Sequence, residues 1–76
     1  MSINVKVTRL QKKNRAQVEP KLISELIHKR YSFDDEIALL NNFNADPETY
    51  AQEYEDYQAF RVEVKQAVKE AFNETD

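Results

Sequence analysis

"YSFDDEIALLNNFNADPETYAQEYEDYQAF", residues 31–60, contains two helix starts in close succession, and its reading decides the fold of the whole chain. Ser32 stands directly before an amphipathic run, with Asp34, Asp35 and Glu36 in the turn that follows. A side-chain oxygen at such a position accepts a backbone N–H that the helix leaves unpaired, and acids in the first turn complement the positive end of the helix dipole. Asp35 occupies the position where a capping box usually carries Glu or Gln. Asp46 and Pro47 repeat the signal, with Glu48 in the first turn. Proline is favoured there because its missing N–H would be unpaired in any case. The stretch therefore predicts one helix over 33–43 and a second beginning at 47. The chain has no glycine, so the asparagines of "NNFNAD" are the expected terminators of the first, standing in for glycine in a left-handed cap.

Downstream, the same register continues to about residue 72. At 100° per residue, Tyr50, Tyr54, Tyr57, Phe60, Val64, Ala67, Val68, Ala71 and Phe72 fall in one stripe about 140° wide. Arg61 lies inside it, as a snorkelling stem, an ion-pair member or a partner contact. Upstream, Pro20 is the expected start of a helix to residue 31, with Leu22, Ile23, Leu26 and Ile27 on one face and Glu25 and His28 on the other. Phe33, Ile37, Leu40 and Phe43 are the expected core face of the helix over 33–43. The long helix should span about 37 Å and each short one about 16 Å. Either the two short helices lie along it in tandem, or a second copy covers part of its stripe.

The stretch "INVKVTRL" alternates Ile3, Val5 and Val7 with polar residues, the period of a half-buried strand, but nothing else in the chain offers it a partner. It is expected to be disordered or irregularly packed, to pair with its copy, or to join another protein's sheet. "QKKNRAQV" reads as linker. The expected fold is all-α: two short helices, 20–31 and 33–43, packed on one long C-terminal helix, 47–72. Residues 1–18 form a basic extended or partly disordered segment, and residues 19–76 a single helical domain.

Composition narrows the function. At 76 residues a fold is marginal alone, so packing or a partner must supply stability. Absence of Cys excludes a disulfide scaffold and thiolate metal ligands. Absence of Gly argues against a P-loop, a dinucleotide fingerprint and a nucleophile elbow. No apolar run approaches the roughly 20 residues of a membrane span, and no secretory signal pattern is visible. The expected location is the cytoplasm.

The net charge of −3 hides an asymmetry: residues 1–31 sum to +6 and residues 32–76 to −9. Mutual neutralisation within the fold or across a dimer is the simpler reading. The alternative is a nucleic-acid-binding accessory role for an arm carrying Lys6, Arg9, Lys12, Lys13 and Arg15. The acidic starts of the second and third helices do not suit a major-groove reader.

Each chemical constellation has a plainer explanation. Glu25-x-x-His28 matches half of a di-iron carboxylate pair, but His28 is the only histidine. Neither a metal nor another cofactor is expected, and no small-molecule ligand is inferred. Asp34, Asp35 and Glu36 are explained by helix-end electrostatics. Ser24, Ser32 and His28 lack an activating elbow or oxyanion loop. The chain is expected to be non-enzymatic. Tyrosines beside so many acids suit a wet protein boundary better than a nucleic-acid stack. Tyr50, Tyr54, Tyr57, Phe60 and Arg61 are the candidate surface for a protein partner or a homo-oligomer.

The blocks "KRYSFDDEIALL" (29–40), "DPETY" (46–50) and "DYQAFRVEVKQAVKEAF" (56–72) resemble short proteins encoded by phages and prophages, many of which look like R-Y-S-x-x-x-E-x-A-[IL]-L, then P-E-E-[FY], then E-Y-x-A-[YF]-x-x-x-x-K. The matching positions are Arg30, Tyr31, Ser32, Glu36, Ala38, Leu39, Leu40, Pro47, Glu48, Tyr50, Tyr57, Ala59, Phe60 and Lys65. The chain departs in the inserted "AQEYE" and in its basic N-terminal segment. The resemblance implies a small protein encoded near structural genes, with no established activity and no catalytic residue to carry over.

Overall fold

The computed structural model describes residues 3–74. They form four helices: α1 (Arg9–Lys13), α2 (Arg15–Arg30), α3 (Phe33–Ala45) and α4 (Pro47–Asn73). The molecule is a rod of 47 × 21 × 16 Å. Both α2 and α3 pack on α4, in tandem along its length. The first runs antiparallel to the C-terminal half of α4: Arg15 Nη1 donates to Asn73 Oδ1 at 2.9 Å at one end, and the Tyr31 ring lies 5.7 Å from that of Phe60 at the other. The second covers the N-terminal half, where the Phe43 and Tyr54 rings stack at 4.0 Å.

Tandem packing is what the lengths require. With 16 and 13 residues, α2 and α3 together match the 27 residues of α4, which span about 40 Å at 1.5 Å per residue. The aromatic and aliphatic stripe of α4 turns inward along its whole length. Val64 and Val68 have no exposed surface, Tyr57, Ala71 and Phe72 are buried, and the other stripe residues are half-buried. Ile27 completes the buried core, with Val18, Leu22, Ile23 and Leu26 packed against it.

The caps form where the sequence places them. Asp35 N–H donates to Ser32 Oγ at 3.1 Å and Ser32 N–H to Asp35 Oδ2 at 3.1 Å, so aspartate serves as a full capping-box partner. Thr49 donates its N–H and its hydroxyl to the two carboxylate oxygens of Asp46, at 3.3 and 2.6 Å. These bonds, the hydroxyl's first, hold the Asp46 carboxyl below the usual aspartate range.

Four expectations are corrected. Helix α2 begins at Arg15, with Pro20 inside it, so most of the expected linker is helical. An interior proline costs about 3 kcal/mol. Tertiary contacts offset that cost: Val18 packs on the core, and Arg15 is held by Glu19, by Asn73 and over the Phe72 ring at 5.4 Å. A fourth helix, α1, starts at Thr8 with its own capping box, Gln11 N–H to Thr8 Oγ1 at 3.1 Å and Thr8 N–H to Gln11 Oε1 at 2.9 Å. The asparagines do not terminate α3, which runs to Ala45, and no described residue has positive φ. Asp46 closes α3 and opens α4, because the residue before a proline is driven out of the helical region.

The fourth correction concerns the faces of α3. Phe33, Ile37 and Leu40, expected in the core, are 68%, 45% and 41% exposed. Glu36, Leu39 and Phe43 are the less exposed positions of this helix. Residues 3–7 show the expected alternation, with Ile3, Val5 and Val7 half-buried against the core and Asn4 and Lys6 exposed. They do so without strand pairing, as an irregular segment laid on the helices.

Candidate functional site

Two features outside the aliphatic core draw chemistry-bearing side chains together. The first is the joint where α2, α3 and α4 meet. Glu36, at the start of α3, points inward because its neighbours in the helical register are Leu39 and Phe43. One of its oxygens lies 2.7 Å from His28 Nε2 and the other accepts the hydroxyl of Tyr57. The single carboxylate therefore ties all three helices. His28 Nδ1 stands 3.5 Å from Ser24 Oγ, one turn back on α2.

Tyr57 is only 2% exposed. Burial first, then the bond to the Glu36 carboxylate, pushes its phenol up to about 12. Its ring meets that of Tyr31 edge-on at 5.0 Å. The Arg61 guanidinium lies 5.6 Å from the centre of the Tyr57 ring, and that of Arg30 lies 4.8 Å from the centre of the Phe60 ring. Arg61 Nε is buried without a hydrogen-bond partner, the arrangement of a stem run through apolar surroundings.

Ser24, His28 and Glu36 follow the order of a hydrolase triad, and the same contacts also clasp three helices together. Ser24 lies inside a continuous helix, whose N–H groups are consumed by its own ladder. Acyl transfer needs free donors where an oxyanion develops. The far oxygen of Glu36 is also committed to Tyr57. Among the described residues, no three His, Cys, Asp or Glu side chains converge in a manner that would hold a metal ion. Glu25 and His28 do not act as a pair, since the imidazole turns to Glu36 instead.

The candidate partner residues divide. Tyr57 belongs to the interior, while Tyr50, Tyr54, Phe60 and Arg61 are half-buried within the fold, Tyr54 beneath Phe43. Of the basic arm, Lys12 Nζ donates to the Glu74 carbonyl at 2.6 Å, which fixes α1 beside the C-terminal end of α4. Arg15 pairs with Glu19 at 2.5 Å, and that bond raises the guanidinium and lowers the carboxyl from their ordinary values. Lys6, Arg9 and Lys13 are exposed at the same end.

The second feature is the outer face of α3. Phe33, Ile37 and Leu40 recur at the i, i+4, i+7 spacing and form a stripe within about 60° of one another, with Asp34 and Asn41 along one side. Sequence reasoning found these residues but assigned them to the core. The apolar arc of α3 spans about 160°, wider than one helix contact covers. Only its Leu39–Phe43 side meets α4, and that excess width was the available signal.

Comparison of the chain with protein-family models, with curated proteins and with solved structures finds no match. Among the described residues no helix is long and apolar enough to cross a membrane.

Proposed function

We propose that this chain is a small, non-enzymatic interaction or assembly protein of phage or prophage origin. The observation that carries the reading is the outward-facing Phe33–Ile37–Leu40 stripe, on a helix whose other face already packs on α4. A chain this short that leaves three large apolar side chains in one row has a surface suited to an interaction. The resemblance to phage-encoded proteins supports the origin. Its residues Arg30, Tyr31, Ser32, Glu36, Tyr57 and Phe60 are those that build the three-helix joint. The shared pattern therefore describes how α3 is held in place with its outer face presented.

The experiment is a capture comparison in phage-producing cells between the wild-type chain and the double variant Phe33→Ser, Ile37→Ser. The expected result is a defined partner retained by the wild type and lost from the variant, with unchanged helical circular dichroism. Identical captures from both would remove the α3 face as the interaction surface.

A further inference from the structure

The interaction reading leaves open what covers the outer face of α3, and the charge layout answers it. Residues 31–60, which contain all of α3 and the N-terminal half of α4, carry eight acidic side chains and no basic one. The remainder of the chain carries eleven basic and six acidic side chains, a net +5 against −8. Folding places the acidic stretch along one half of the rod and the basic residues of α1 and the start of α2 at the far end, with Arg30 and Arg61 at the joint between. Helix α1 packs on α2 and, through Lys12 and the Glu74 carbonyl, sits at the C-terminal end of α4, while α3 lies along the other half. The basic end has its own exposed hydrophobe: Leu10 is 70% exposed, with Lys13 one turn on.

Pairing α3 with the α3 of a second copy would set Asp34 and Asp35 of one against the same acids of the other, and like charges brought together at an interface are unfavourable. A cationic surface with an apolar centre suits the stripe, and the basic end of another copy supplies one. We propose that the chain associates head to tail, the acidic α3 face of one copy receiving the Leu10-bearing basic end of the next. The contact joins two different surfaces, so association does not stop at a dimer. Three side chains on one face and one on the other fall well short of the roughly 800 Å² per partner of a standard interface. The association is therefore weak, reversible and strongly weakened by salt.

This inference deepens the interaction reading and rests on it. The test is sedimentation equilibrium at submillimolar protein in low and in high salt, using the wild type and two variants whose changes are all at exposed positions. One variant alters the acidic face (Phe33→Ser, Ile37→Ser) and the other the basic end (Leu10→Ser, Lys13→Glu). The wild type should show a mass that rises with concentration in low salt and returns to the 9.0 kDa of a single chain in high salt. Each variant alone should stay monomeric. Mixed in equal amounts they should form a species of twice that mass that grows no further, because each retains the surface the other has lost.

A basic-end variant that still dimerises alone would show an α3-to-α3 contact and overturn the arrangement. A wild type monomeric at every concentration and salt would overturn it too. The latter result would leave the capture experiment above to judge the interaction reading separately.

Discussion

The two halves of α4 carry the same kind of apolar stripe and end in different states. From Tyr57 to Phe72 the stripe is buried under α2, reinforced by Ile3, Val5 and Val7, and five of its residues are almost fully removed from water. From Pro47 to Asp56 it meets α3 alone, and no residue there is fully buried. The difference lies in what is stacked above each half: a longer helix with an extended segment over one, a single shorter helix over the other. Coverage, rather than hydrophobic pattern, decides where the core is.

The largest test of that contrast is truncation of one phenylalanine at each end. Phe72→Ala removes a buried ring and should cost about 3–5 kcal/mol, read from urea unfolding. Phe43→Ala, on the half-buried stack with Tyr54, should cost less than half as much. Equal losses would mean that the thin end is as consolidated as the thick one.

Next comes the joint between the halves. Tyr57→Phe removes the donor to Glu36 and should cost about 1.5–3 kcal/mol, the range for hydrogen bonds to charged groups. It should also change the alkaline response. The phenol sits at about 12 in the fold against an ordinary 10.0. Because the folded value is raised, its stabilisation is fully present below pH 10 and is lost as pH rises through 12. A stability profile from pH 9 to 12 should fall in the wild type and fall less steeply in the variant.

Hydrogen exchange tests the contrast without mutation. Amides of α4 from Tyr57 to Phe72 should open only with global unfolding, while those of Ala51–Asp56 and of α3 should open locally and exchange about ten- to a hundredfold faster. Uniform protection along α4 would break the comparison.

The smallest effect is expected at the thin end's own cap. Asp46→Ala should lower the thermal midpoint by a few degrees through loss of both bonds to Thr49. The Asp46 carboxyl lies below its ordinary value, so its contribution is present above the normal aspartate range and disappears as pH falls through the depressed folded value. In acid, wild type and variant should converge in a circular-dichroism melt.

Much of this architecture was legible in the residues. Ser32, Asp35, Asp46 and Pro47 mark helix starts through bonds made within four residues, so no distant group was needed to read them. The stripe from Tyr50 to Phe72 was legible for a similar reason, since period alone places side chains on one face. Thr8-x-x-Gln11 carries the same local signal for α1, in competition with the strand-like alternation before it, which favours an extended arm. Pro20 misled for the opposite reason: its local preference for a first turn was overridden by the contacts of Arg15 with Asn73 and Phe72, residues more than fifty positions away.

The sequence by itself determined the helical class, the caps and the inward stripe of α4, because each follows from backbone bonding and helical period within a few turns. Only the tertiary structure decided which side of α3 is covered. Its apolar arc offers two faces of similar character, and the one that carries Leu39 and Phe43 lies against α4, on the side from which Glu36 reaches His28 and Tyr57 at once. That bond joins three helices, and no local pattern in any one of them specifies it.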